Sequence, residues 1–424
     1  MGKLKSNTLL SSVSGWYLVL STLFYYSAVY DGLELVSYLC FYGLPLIYIL
    51  VHYQDALSLL RLCFRNCLKY YLLSIVIMAL LSIVLPYVSG TNDYSYFTIR
   101  ILQIAKESIK LLFLVMLFIR YISPQGDIKL FMRYFVYSTC IYILGTMIII
   151  CIPPLRELLL TLNKADANVI RLAHKATYVT RFGWCGFSGF TYTLKCSLAV
   201  MMMCFFMYEE RFKQFWENCV LLFFCMLGNL FYGRVGIIVS GIFFLILLTG
   251  FWLKERKLAY RLLVMIGSGM GAIAVLALCS QAARAWLYWA FQSFVNLFTT
   301  GSMETTSSAS LEKMYFMPEW KTLLIGDARY MMPKGRYYMG TDVGLLRPIL
   351  FGGILFQALR YSTLIISLRQ LKADWQFSPT WLVYLSIILF LIFEMKGEVI
   401  APVISIIFAL AVLAAYAKET AEKK

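Results

Sequence analysis

The chain reads as a series of apolar stretches separated by mostly short polar connections. The apolar runs span roughly 17–25 residues, the length a helix needs to cross about 30 Å of hydrocarbon. They fall near 11–30, 33–52, 69–89, 101–121, 134–153, 189–208, 216–232, 234–253, 261–280, 343–368, 379–394 and 398–417. Helices satisfy their own backbone hydrogen bonds in lipid. The pattern therefore predicts an all-α polytopic integral membrane bundle with about twelve transmembrane helices. The first run follows Lys3 and Lys5, as a signal peptide would, but it continues to Tyr30 without a convincing small-residue cleavage site. It predicts an uncleaved first span.

Two connections are long, 154–188 and 281–342. The second has internal pattern. Arg284–Phe298 reads as an amphipathic helix with Trp286, Tyr288, Trp289, Phe291 and Phe294, suited to the headgroup level. Thr299–Ser310 is rich in Ser and Thr and reads as flexible; Leu311–Leu324 reads as helical again. Gly326, Pro333, Gly335 and Gly340 then mark irregular backbone.

Charge assigns the sides. Arg61, Arg65 and Lys69, then Arg120, Lys129 and Arg133, Arg211 and Lys213, Lys254 to Arg261, Arg369 and Lys372, and the lysines after 417 alternate strictly with the spans. This places those connections and both termini in the cytoplasm and both long loops outside. Short outer connections are left at Asp31-Gly32, Gly90–Tyr96, Gly233-Arg234 and Glu394–Glu398. Composition agrees: of 424 residues 61% are hydrophobic and only 14% charged, against about half and a quarter in soluble domains. The net charge of +16 thus points to cytoplasmic anchoring by Lys and Arg or to an anionic substrate rather than to nucleic acid. Most of the eleven cysteines lie in apolar runs and no CxxC occurs, which points away from a disulfide framework or a metal site.

The outer loops are unusually basic. Loop one holds Arg156, Lys164, Arg171, His174, Lys175 and Arg181; loop two holds Arg284, Lys313, Lys321, Arg329, Lys334 and Arg336, with Arg234 and Lys396 on short outer turns. Such a surface suits a phosphate-bearing ligand, since Arg binds phosphate bidentately. Long loops also tolerate charge regardless of orientation, and loop two carries Glu304, Glu312, Glu319, Asp327 and Asp342 as well. Arg100, Lys106, Glu107 and Lys110 crowd the start of the fourth span; Lys195 and Arg347 lie one turn into theirs. Charges so placed face an interior or snorkel to the interface. Arg181-Phe-Gly-Trp-Cys-Gly-Phe-Ser-Gly189 offers aromatics that either stack on sugars or anchor the interface. His174, the only histidine on the outer side, is a candidate general base without an identifiable orienting partner.

Three motifs carry a family resemblance. Leu324-Ile-Gly-Asp-Ala-Arg329 is followed by Gly340-Thr-Asp342-Val-Gly-Leu-Leu-Arg-Pro-Ile-Leu-Phe-Gly352-Gly353, and Phe231-Tyr-Gly233-Arg234-Val-Gly236 lies between two spans. In order and location these resemble the O-antigen polymerase (Wzy) family of the O-antigen polymerase/ligase superfamily. The resemblance implies a GT-C-like membrane glycosyltransferase of the bacterial inner membrane, working at its periplasmic face. It would move a growing glycan from undecaprenyl diphosphate onto a lipid-linked repeat unit, with no metal or other cofactor. The implied partners are those lipid-linked oligosaccharides, membrane lipids and a chain-length-regulating co-polymerase.

By this resemblance and the charge pattern, Asp342, His174 and Arg329 are the candidate catalytic residues. Arg181, Arg234, Arg171, Arg336, Lys313 and Lys396 are the candidate binders of diphosphate and glycan. The chain departs from the family at Leu311-Glu312-Lys313, where an arginine is common. The related O-antigen ligases typically carry His where Asp342 stands, which favours polymerase. A lipid-linked oligosaccharide flippase would show paired helical halves and charges near the midplane.

Overall fold

The computed structural model describes residues 12–162, 181–187, 190–209, 214–375 and 380–423. The described residues are 82% helical, compatible with an all-α polytopic membrane protein. Each predicted span falls on a helix. Among the described residues nine helices are long and apolar enough to cross a membrane, while the apolar helices near Ser12–Tyr25 and Thr380–Glu394 are shorter. The fourth predicted span is one continuous rod through Phe97–Ile101, Leu102–Leu117 and Phe118–Ile122. Its charges break its apolar character, and one pair neutralises itself: Lys110 Nζ lies 2.6 Å from Glu107.

The chain divides into two compact units, Met1–Phe41 with Lys129–Glu304, and Tyr42–Ile128 with Thr305–Lys424. The division cuts the 281–342 segment after its amphipathic helix.

In the first unit Phe190–Glu209 is the central helix, buried at every position from Thr193 to Met207. Phe215–Tyr232 and Arg234–Lys254 pack against it. Small and polar residues let these helices approach, as in membrane bundles generally. Asn229 Nδ2 donates to Ser240 Oγ at 2.5 Å, and Ser197 Oγ donates to Asn229 Oδ1 at 3.4 Å. Glycine is required at 233 and 236 by this packing: a Cβ at Gly233 would lie 2.5 Å from Thr193 Oγ1, and one at Gly236 would lie 2.3 Å from Asn229 Oδ1. The motif between the two spans is thus a close-packed corner, with Arg234 opening the second helix.

In the second unit the long helix Arg347–Asp374 packs on Leu68–Val88 and Ile400–Glu422. It is broken at Gly352 and Gly353, the latter at φ +75°. A break orphans carbonyls in the preceding turn. Here Asp327 N donates to Leu350 O at 2.7 Å and Ala328 N to Phe351 O at 2.9 Å. The short helix Trp320–Ile325 and Gly326 fit into the notch. The two glycine motifs seen in the sequence are therefore one interlocked contact.

Two expectations for 299–324 are corrected. Residues in the Ser/Thr-rich stretch form the helix Thr306–Glu312, started by a reciprocal capping box between Thr305 and Ser308. The helix expected over Leu311–Leu324 is split, with Trp320–Ile325 as its remainder, because Pro318 lies in the intervening stretch.

Gly353→Ala tests the notch. Its Cβ would lie 2.1 Å from Leu324 O at a left-handed φ, so the variant should lose at least about 2 kcal/mol of stability. Thermal unfolding in detergent should show a lowered midpoint. Gly267→Ala, where nothing lies within 4 Å, should leave the midpoint unchanged or slightly raised.

Candidate functional site

Each unit gathers arginines, and each cluster is built by its own local packing. In the second unit the centre is Glu398, in the turn between Thr380–Glu394 and Ile400–Glu422. Its side chain is fully buried. Arg100 Nε donates to Glu398 Oε2 at 3.1 Å and to Tyr330 Oη at 2.6 Å. Tyr330 Oη donates to the same Oε2 at 2.6 Å. Arg347 Nη1 stands 3.8 Å from Oε2, and Arg360 Nη1 stands 3.7 Å from Oε1. Burial pushes the Glu398 carboxyl up, but Arg100, Arg360 and Arg347, helped by the Tyr330 hydroxyl, outweigh it and hold it below the usual range.

Glu394 extends the network. It forms a two-pronged pair with Arg360, and its Oε1 accepts Val399 N at 2.7 Å. Arg360 also donates to Gly344 O at 3.2 Å and to Gln357 Oε1 at 3.0 Å. Gly344 must lack a side chain, since a Cβ there would lie 2.5 Å from Gly397 O and 2.7 Å from Glu394 Oε2. That contact seats the segment carrying Asp342 against the turn. Asp342 Oδ1 lies 4.0 Å from Arg347 Nη1, with its side chain half exposed. Its partial burial raises its carboxyl above the ordinary value, against the pull of Arg347 and Arg100.

Arg329 is exposed, whereas Ala328 and Tyr330 on either side of it are buried. Asp93 holds this stretch by accepting Tyr330 N at 2.6 Å and Met331 N at 2.8 Å. Those backbone bonds and Ser95 overcome burial and keep the Asp93 carboxyl below its usual range. Arg336 and Lys313 are exposed, and Lys396 is half-buried in the Glu398 turn.

In the first unit Arg181 and Arg234 converge on one indole. Their guanidinium carbons lie 5.6 and 4.9 Å from the Trp289 ring centre. Arg234 donates from Nε to Trp289 O at 2.9 Å and from Nη2 to Gln292 Oε1 at 2.7 Å, both neutral acceptors. Arg181 N donates to Phe231 O at 2.9 Å. The aromatic segment after Arg181 is a hairpin pairing Phe182–Gly183 with Gly186–Phe187. Trp184 at its tip meets Tyr142 edge-on at 5.0 Å, and Trp184 Nε1 donates to Tyr26 O at 3.3 Å. Lys195 turns into the same helical packing, donating to Tyr25 O at 2.5 Å.

Of the residues singled out from sequence, Arg181 and Arg234 are brought together in one unit, and Asp342 is placed beside Arg347 in the other. Arg329, Arg336, Lys313 and Lys396 belong to the second unit as well. His174 and Arg171 lie outside the described residues. Sequence reasoning missed Arg360, Glu394, Glu398 and Tyr330. The available signal was a lone arginine deep in an apolar stretch together with two glutamates flanking a turn between apolar stretches, because an intramembrane charge requires a partner.

Removing one partner from a buried charge network costs about 3–5 kcal/mol. Glu398→Gln should therefore sharply lower the unfolding midpoint, while Arg329→Ala should leave it unchanged in the same scan. Comparison of the chain with protein-family models, with curated proteins and with solved structures gave no match.

Proposed function

We propose that this chain is a membrane glycosyltransferase of the O-antigen polymerase type, transferring a glycan from undecaprenyl diphosphate onto a lipid-linked repeat unit. In this reading the protein has about twelve spans, both termini in the cytoplasm, and the 154–188 and 281–342 segments on the periplasmic side of a bacterial inner membrane. The observation that carries it is the convergence of Arg181 and Arg234 on Trp289. Two cations on one ring repel each other, and an oxyanion between them relieves that repulsion. A lipid diphosphate leaves readily when its developing charge meets fixed guanidiniums. Asp342 is assigned the acceptor hydroxyl, which needs positioning and a weak base. Arg329, Arg336, Lys313 and Lys396 are assigned to the glycan and its phosphates.

A second reading, a carrier of lipid-linked oligosaccharides, is favoured by one observation: Arg360 is buried within a long apolar helix and paired with Glu394. Intramembrane pairs of this kind mark transport pathways in many membrane proteins.

One assay separates the two. Purified protein in liposomes would receive undecaprenyl-diphosphate-linked repeat units alone. Polymerase action produces a ladder of lengthening products; products that require added lipid A–core would indicate a ligase. Movement of substrate across the bilayer without new bonds would overturn the enzyme reading. Within the polymerase reading, Arg234→Ala should lower ladder formation by about 10²–10³-fold, as for removal of a charge-stabilising donor. The pH profile tests Asp342. A base works ionised, so activity should fall as pH drops through the raised Asp342 value, and the acid limb should lie above where an ordinary aspartate would put it. Asp342→Asn should abolish that limb along with most of the activity; a limb that persists would sink the role.

A further inference from the structure

Arg347 is a buried charge whose donors are largely unsatisfied among the described residues. Its side chain is only 3% exposed. The guanidinium lies over two aromatic rings, 4.0 Å from the Tyr330 centroid and 3.8 Å from that of Tyr337. Its Nη2 contact is with the thioether of Met331, at 3.9 Å. Nε and Nη1 have no hydrogen-bond acceptor among the described residues. The two nearby carboxylates stand off at 3.8 Å (Glu398) and 4.0 Å (Asp342), beyond hydrogen-bonding distance. Buried guanidiniums are normally saturated with acceptors, and a missing one leaves the desolvation of that donor uncompensated. The two rings hold the guanidinium in place and leave Nε and Nη1 as donors open to an oxyanion.

What covers Arg347 is itself at the surface. The Asp342 side chain is 50% exposed and Tyr337 is 40% exposed. Arg100, Arg347, Arg360 and Lys396 supply four positive charges, against four negative from Glu394, Glu398, Asp342 and Asp93. An anion that took the place of Asp342 would keep that balance. Glu398 and Glu394 are locked by hydrogen bonds to Tyr330, Arg100, Arg360 and Val399, and Asp93 is committed to the backbone of Tyr330 and Met331. Asp342 is the one carboxylate here that is both loosely held and exposed.

We propose that Arg347 is an oxyanion-binding site that Asp342 covers as a displaceable internal anion, and that a phosphate or a sugar carboxylate takes its place. The guanidinium then gains an acceptor it lacks, and the Asp342 carboxylate is released from Arg347. The site is distinct from Arg181 and Arg234 and does not depend on the polymerase reading.

Binding can be measured without turnover. The full-length chain, carrying Arg181→Ala and Arg234→Ala so that those cations do not contribute, would be titrated in nanodiscs with inorganic pyrophosphate and, separately, with glucuronate. Saturable binding is expected. Asp342→Asn should tighten it roughly 1.5- to fivefold, the range for losing one partly exposed competing charge. Arg347→Gln should abolish it. Because that variant disturbs a buried network, Arg347→Lys provides a second check: it keeps the charge, loses the fork and should bind at least about tenfold more weakly. Tighter binding of pyrophosphate identifies a diphosphate-bearing ligand, and tighter binding of glucuronate an acidic sugar; either supports the site. Unchanged or weaker binding in Asp342→Asn, binding by Arg347→Lys equal to that of the parent, or no saturable binding of either probe would overturn it.

Discussion

Glu398 is one carboxylate in a short turn, and three arginines from two distant parts of the chain are arranged around it. Arg100 comes from the start of the rod through Phe97–Ile122, and Arg347 and Arg360 come from one long helix. A charge buried this deeply is tolerable only when it is paired. Each arginine therefore depends on the turn, and the turn depends on them. Tyr330 joins through its hydroxyl, which ties the stretch around Arg329 to the same carboxylate. The register of the late helices and the position of this stretch are two results of one electrostatic requirement.

The glycines supply the second constraint on that unit. The break at Gly352 and Gly353 lets backbone meet backbone at Gly326, where any side chain would collide. Orphaned carbonyls of the helix are then satisfied by Asp327 and Ala328. The stretch beside Arg329 is thus held at one end by a helix break and at the other by Asp93 and Glu398. Arg329 itself is left at the surface, where it can act without carrying any of the fold.

In the first unit the amphipathic helix Gln281–Thr300 does two jobs. Trp286 is buried, stacked on Phe231 at 4.6 Å, with its indole N–H on Leu230 O at 3.0 Å. One turn along, Trp289 carries the two guanidiniums. Phe298 and Tyr288 face outward. The aromatic stripe that reads as a membrane-surface signal is therefore divided between packing, cation binding and exposure.

The apolar runs were enough to locate the long helices, though not Tyr53–Arg65 or Pro153–Leu162, because run length and backbone self-satisfaction in lipid leave few alternatives for a span. The same local rule misjudged 299–324, where a capping box and a proline decide the ends of helices. The sequence also identified Gly233, Arg234, Gly326, Asp342 and the Gly352-Gly353 pair as special positions, but not what each one touches. Arg181 and Arg234 are 53 positions apart in the chain, and only folding sets both on Trp289. Arg360, Glu394 and Glu398 look like separate oddities in apolar surroundings until the helices pack. Hydrophobic periodicity is a local property and can be read along the chain. The pairing of buried charges is a non-local one, and only the tertiary structure decides which partners meet.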